Sequence, residues 1–476
     1  MTDSKSKIVP GGYREVFRVA WPLIVSTGSF TVMQFFDRIF LARYSATSIQ
    51  AALPAGILSF TMICGFMAVA GYANTLVAQY HGAGQPDSCS RSVMQAVWFS
   101  LLAWPLLALL IPAGRWLLAH SGHPPAVIRE ELSFFTILLS GGGFVVLNSA
   151  VSSFFTGRGE TFTNMLAVVI GNVVNIALDY GLIFGHFGLP EMGIRGAGFA
   201  TVIAGAVTPA ILFTLYFSRR NDVAHRTRKN LKFERGLFAR LLRFGFPSGV
   251  NFFLDIASFT VFVLLVGRMG ELPLAVSNIA LSINMVAFMP MVGISIAASI
   301  LVGQYQGAGD SATAEKSGWT ALKLAVLYMT TIGSTYVFAP AAYFELFAQR
   351  SGHGLSLAQL LETGRSLLLL MAAWGIFDAA NVVLSGALKG AGDTKFVMYY
   401  SILMGWFLLV PAEAALVIFF KAGVMTAWVV LTIYVVILAA GYFFRFRSGH
   451  WKTIEVIEPA PGRVPAKPSD EFIAGK

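Results

Sequence analysis

Tyr72 to Gly84 reads YANTLVAQYHGAG, Ala297 to Gly309 reads AASILVGQYQGAG, and eight of the thirteen positions are identical. Two further segments repeat in the same order. VFRVAWPL (Val16 to Leu23) returns as LLRFGFPS (Leu241 to Ser248), which sets Pro22 against Pro247. TGRGETF (Thr156 to Phe162) returns as KGAGDTK (Lys389 to Lys395). Three matches in order, at nearly constant offset, make the chain two copies of one unit.

The unit belongs in lipid. Of 476 residues, 56% are hydrophobic and only 12% are charged, and the mean hydropathy is +0.69. A soluble protein carries about twice that charged fraction. Twelve apolar runs are long enough to span a bilayer at about 20 residues each. They centre near Thr31, Phe66, Leu106, Gly142, Val173 and Gly205, then near Thr260, Phe288, Met329, Leu370, Leu403 and Val430. The 47 glycines suit closely packed membrane helices. The expected fold is therefore an all-α polytopic membrane protein, with twelve transmembrane helices in two pseudo-symmetric six-helix lobes. An even number of spans per half starts both halves on the same side, so the repeats are parallel.

The net charge of +10 does not point to nucleic acid. The basic residues gather in short loops, as on the cytoplasmic side of membrane proteins. Ser218 to Arg243 is the most basic stretch; Lys5, Lys7 and Arg14 before the first span, and Arg445, Arg447 and Lys452 after the last, fall on the same side. Both termini are expected to be cytoplasmic. The expected division is 1–14, cytoplasmic N-terminus; 15–218, first lobe; 219–239, basic cytoplasmic loop; 240–447, second lobe; 448–476, a cytoplasmic tail that is Pro-rich from Glu458 and expected to be disordered. MTDSKSK leads into a long segment without a small-residue cleavage pattern, so the first helix is expected to act as its own insertion signal. Cys64 and Cys89 have no metal or redox spacing, and Cys64 reads as a packing residue.

A carboxylate at the centre of a spanning helix costs roughly 2.5 to 3.5 kcal/mol on insertion scales, so intramembrane acids mark function. Asp37 lies in FTVMQFFDRIFLA of the first run, although Arg38 beside it also fits a neutralised pair at a helix end. In the fifth run, GNVVNIALDYGLIFG (Gly171 to Gly185) spaces Asn172, Asn175 and Asp179 by three and four, on one helix face. Asp255 lies well inside the seventh run, and Asp378 and Asn381 share a face of the tenth. Glu413 follows Pro411 and reads as a kink or an outer edge. A carboxyl in a wet cavity can carry a proton; with neighbouring oxygens it can hold Na⁺. The repeated HGAGQPD and QGAGDSA segments lack the Gly-Lys-Ser/Thr ending of a phosphate loop and read as tight turns, as do GRGET and GAGDT. No clustered catalytic set, ATP site or cofactor motif is visible. The chain does not read as an enzyme, and uphill movement would draw on an ion gradient.

With these motifs in hand, the sequence resembles the multidrug and toxic compound extrusion (MATE) transporters over nearly its whole length, Gly12 to Arg447. The resemblance is carried by WPLI with Pro22, FFDRIFLA with Asp37, the paired QYHGAG and QYQGAG, NIALDYGLIFG, MGIRGAGFAT, and FDAANVVLSGALKGAGDT across the tenth helix. It implies antiport of cationic or amphiphilic compounds against H⁺ or Na⁺ by two rocking lobes in a plasma membrane (the inner membrane of a Gram-negative bacterium), with no cofactor and a functional monomer.

The resemblance also implies two candidate ion sites. One is in the first lobe, at Asp37, Asn175 and Asp179 with Asn172 on the same stripe. The other is in the second lobe, at Asp255 and Asp378 with Asn381, where Na⁺ is the possible metal. Phe30, Gln34, Phe35, Phe36 and Trp374 are candidates for the substrate cavity. Tyr180 stands where a Pro often follows the helix-five Asp. Asp255 is shorter than the usual Glu, and Trp374 replaces an aromatic hydroxyl. The last two differences remove reach and an oxygen ligand, which favours H⁺. The rival function is a flippase of a lipid-linked precursor with the same broad fold; it would need a cationic cavity, whereas the intramembrane charges here are mostly acidic. A membrane enzyme lacks a catalytic cluster, and a major-facilitator importer lacks these motifs.

Overall fold

The computed structural model describes residues 9–348 and 357–458. Twelve of its helices are long and apolar enough to cross a membrane. The first six are α1 (Tyr13–Tyr44), α2 (Ala46–Gly82), α3 (Pro86–Ala119), α4 (Pro125–Gly157), α5 (Thr161–Phe184) and α6 (Ile194–Tyr216). The second six are α7 (Arg235–Gly267), α8 (Glu271–Ala308), α9 (Ser311–Phe338), α10 (Leu360–Ala391), α11 (Thr394–Phe419) and α12 (Val424–Arg447). Each expected run corresponds to one of them, and no strand occurs among the described residues.

The repeated motifs fold alike. Gly84 and Gly309 end α2 and α8 in the left-handed region, at φ +70° and +78°. Gln85 N–H then donates to Tyr80 O and Asp310 N–H to Tyr305 O, both at 2.9 Å. Gly159 and Gly392 do the same after α4 and α10, at φ +79° and +99°. Glu160 N–H donates to Phe155 O and Asp393 N–H to Leu388 O, again both at 2.9 Å. A side chain at these four positions would be strained, which is why glycine recurs at them.

Two apolar cores form, and the first helix of each half straddles both. Val16, Val19, Ala20 and Leu23 of α1 pack in the second-half core with Ile294 and Ala298 of α8. Leu241 and Phe244 of α7 pack in the first-half core with Tyr72 and Ala73 of α2. The halves are thus tied by α1 on α8 and α7 on α2. Hydrogen bonds between them run from mid-helix, where Thr27 Oγ1 donates to Met289 O at 3.0 Å, toward the face that carries the basic loop. Pro22 and Pro247 sit inside α1 and α7, and Ser26 Oγ takes up the carbonyl of Pro22 at 2.8 Å.

Two stretches differ from expectation. The basic loop shortens: a short helix, Arg219–His225, packs on the first half, and α7 already begins at Arg235. His225 is buried, with Ser90 Oγ donating to its carbonyl at 2.7 Å and Arg158 3.2 Å from its Nε2. The tail is ordered through Glu458, because Trp451 is fully buried on Phe446, with ring centroids 5.0 Å apart. Lys452 pairs with Glu315 and Glu458 with Arg240, each at 2.6 Å. The remainder of the expected disordered tail, with Lys5 and Lys7 at the other end, lies outside the described residues. Cys64 and Cys89 are both buried and free.

Candidate functional site

The first-half candidates converge. α1 and α5 pack along their length, and α6 closes the third side; Gly171 lets it approach, since a Cβ there would lie 2.1 Å from Thr208 Oγ1. Asp179 is wholly buried, and Asp37 is half-buried opposite it. The two carboxyls are within hydrogen-bond reach of each other. The Asn175 amide bridges them, its nitrogen 3.1 Å from both Asp179 Oδ2 and Asp37 Oδ1 and its oxygen 3.3 Å from the Thr201 backbone N–H. No N–H or O–H reaches Asp179 Oδ1. A hydrogen bond between two carboxyl groups needs a proton on one of them. Asn172 Nδ2 extends the stripe to Ser29 Oγ at 2.8 Å. Asp37 faces Asp179 and Asn175, and the Arg38 guanidinium also acts on it through space.

Phe30, Phe35 and Phe36 are exposed along α1, and Gln34 is half-buried there. Phe36 begins an aromatic ladder between α1 and α5. Phe36–Phe40 rings are 5.8 Å apart, Phe40–Tyr180 5.9 Å, and Tyr180 stacks on His186 at 4.6 Å. Phe40 and Phe184 were not evident from sequence, where aromatics in apolar runs read as packing.

In the second half Asp255 and Asp378 have separate hydrogen-bond partners, and Tyr434 of α12 lies within electrostatic reach of both. Asp255 on α7 takes Asn251 Nδ2 at 2.9 Å and a short hydrogen bond from Ser401 Oγ of α11, and the Lys389 ammonium acts on it through space. Asp378 is buried on α10 and takes Asn381 Nδ2 at 3.3 Å and the Trp374 indole N–H. Ser401 Oγ and the amides of Asn251 and Asn381 carry acceptor oxygens as well as donors, and Asn251 Oδ1 has no partner. Trp374 is a correction: it is 6% exposed in the second-half core, 5.7 Å from the Trp428 ring, so it lines no open cavity. An indole beside an equally bulky indole is held by packing. For Glu413, read as a kink or an outer edge, the edge is a second correction. The residue is 1% exposed rather than at an edge, with no partner for either carboxylate oxygen, between π-helical turns Gly405–Leu409 and Ala415–Phe419.

Of the residues missed, Asn251 carried a signal, because Asn251 and Asp255 have the same i, i+4 spacing as Asn175 and Asp179. Ser401 and Lys389 carried none, since only the fold brings α10 and α11 to Asp255.

The MatE family profile matches residues 22–181 and 247–412, one match in each half. The chain belongs to the MatE family. It is similar to "Probable multidrug resistance protein NorM" of Thermotoga maritima, 26% identical over 455 residues, covering 94% of this chain and 95% of that protein. The protein of the same name from Burkholderia pseudomallei is 32% identical over 394 residues, 82% of each. Among solved structures, a multidrug resistance MATE family transporter in an outward-facing conformation superimposes with a TM-score of 0.83 at 19% identity, covering 92% of this chain and 95% of that one. A MATE protein in complex with MaL6 gives 0.82 at 18%, covering 92% and 96%. As a MatE member the chain is a multi-pass membrane transporter of small molecules, not an enzyme.

Proposed function

We propose that this MatE protein is a multidrug efflux antiporter that exports cationic, amphiphilic compounds in exchange for H⁺. The observation that carries the proposal is the Asp37–Asp179 pair bridged by Asn175. Two facing carboxyls bind one proton between them and, once it leaves, present negative charge beside the exposed phenylalanines of α1. A lipophilic cation satisfies both features, so proton and substrate compete for one site. The family likeness and the NorM relatives, themselves named for multidrug resistance, support the same direction. The excess of Lys and Arg on the basic face supports a cytoplasmic position for it. The lobes, joined near that face here, would rock about their α1–α8 and α2–α7 contacts to expose the site on alternate sides.

The test is efflux of a fluorescent lipophilic cation from proteoliposomes under a pH gradient or a Na⁺ gradient, imposed separately on native protein and Asp179→Asn. Efflux driven by pH and lost in the variant is expected. Efflux driven by Na⁺ and indifferent to Asp179 would move coupling to Asp255 and Asp378. Absence of efflux under both would favour a lipid-precursor flippase.

A further inference from the structure

The repeated QYxGAG and GxG(E/D)T segments do more than turn the chain. They meet across the lobe seam. Gln79 of α2 is buried, and its Nε2 donates to Gly390 O of α10 at 3.0 Å. Gln304 of α8 donates to Gly157 O of α4 at 2.8 Å. In the repeat, Gln79 corresponds to Gln304 and Gly157 to Gly390, so these are two copies of one bond, made reciprocally. The acceptors lie at helix C-termini, where carbonyls have no intrahelical partner. In this pair of bonds each lobe offers one donor and one orphan acceptor to the other, and Tyr72 O–H adds a bond to Lys389 O at 3.3 Å.

The glycines of the motif make the meeting possible. A Cβ on Gly82 would lie 1.8 Å from Gln304 O, and one on Gly307 would lie 2.0 Å from Gln79 O. Backbone meets backbone there, so nothing larger than hydrogen fits while the lobes are closed. When they part, all four polar groups gain water, and the bonds are exchanged rather than lost. That makes the contact reversible.

We infer that Gln79 and Gln304 are a reciprocal pair of gating residues that hold the basic face closed in one half of the transport cycle. The inference rests on the rocking motion proposed above, but its readout needs no substrate. Ala78 is fully buried at the seam, where a Cβ on Gly303 would lie 3.1 Å from the Ala78 Cβ. In Ala78→Cys protein in proteoliposomes, the rate of maleimide labelling at position 78 scales with the fraction of time the face is open. Native Cys89, buried inside the first lobe against Val77 O, reports unfolding and serves as the internal control.

Gln79→Met and Gln304→Met keep the volume and delete the donor. Each is expected to speed labelling at position 78 by a factor of roughly 2 to 12, the pair together by more, with Cys89 unchanged. Gly82→Ala and Gly307→Ala keep both amides and are expected to speed it further, because the closed face cannot hold the methyl group. Unchanged labelling in both Gln variants would overturn the assignment. So would a change in only one of them, or acceleration of Cys89 in step with position 78. Normal gating without efflux in native protein would leave the gate standing and remove the proposed antiport.

Discussion

In the two halves of this molecule the four glycine turns repeat to within about 20° of φ and their closing hydrogen bonds to the same length. The carboxyls inside the spans do not repeat. In the first half, Asp37 and Asp179 face each other through Asn175. In the second, Asp255 and Asp378 are each held by their own donors, and Glu413 on the fifth helix of that half has no partner. Duplication has preserved what both lobes must do, which is turn, close and meet each other. It has not preserved what one lobe can do for both. On the proposed reading, a single paired-acid site couples one gradient, and the acids of the second half serve other ends.

If that asymmetry is functional, substitutions should divide by lobe. The largest effect is expected at Asp179→Asn and Asp37→Asn, each reducing pH-driven efflux to the level of empty liposomes. Asp255→Asn and Asp378→Asn should leave most of it; equal losses in both lobes would break the comparison. Next comes Asn175→Leu, which removes the shared donor and leaves both acids without it. Efflux should fall by roughly 5- to 150-fold, the cost of about 1 to 3 kcal/mol for an unsatisfied buried group. Ser401→Ala should destabilise the second lobe by about 1 kcal/mol in reversible unfolding and leave coupling intact.

The smallest effect concerns pH and the loop packed on the first lobe. Burial against Phe154, and then the positive charge of Arg158, push His225 down to about 4, below its ordinary value of 6.5. The unfolded loop therefore takes up the proton first. Stability from neutral His225 is fully present above pH 6.5 and is lost as pH falls toward 4. His225→Gln should flatten that slope in hydrogen exchange of residues 219–234. At the corresponding place after α12 the second half carries only a four-residue 3₁₀ turn, His450–Thr453, and its exchange should not change.

The fold was legible because lipid leaves few options: twelve apolar runs and an ordered repeat allow little else. The Asn172–Asn175–Asp179 stripe was legible because its members share one helix face. The partners of Asp255 were not, since Ser401 and Lys389 come from helices that sequence spacing cannot bring together. Trp374 was misplaced because its spacing from Asp378 says that they are neighbours, not which of them faces open space. Glu413 was read as a kink or an edge because of Pro411; it is buried, so the edge fails, while the π-helical turns on either side fit the kink. The ordered tail was missed because Trp451 is a single anchor in a polar stretch, and composition averages it away. The role of QYxGAG beyond a turn depends on the other copy being across the seam.

The measurement that bears most directly on the first-lobe site is proton release on substrate binding. Purified protein in weakly buffered detergent, with a pH indicator, would be titrated with a lipophilic cation. The native protein and Asp255→Asn should each release about one proton per cation bound, as displacement at a shared acid pair requires. Asp179→Asn should release none. Release that persists in Asp179→Asn and disappears in Asp255→Asn would contradict the first-lobe site and move coupling to the second.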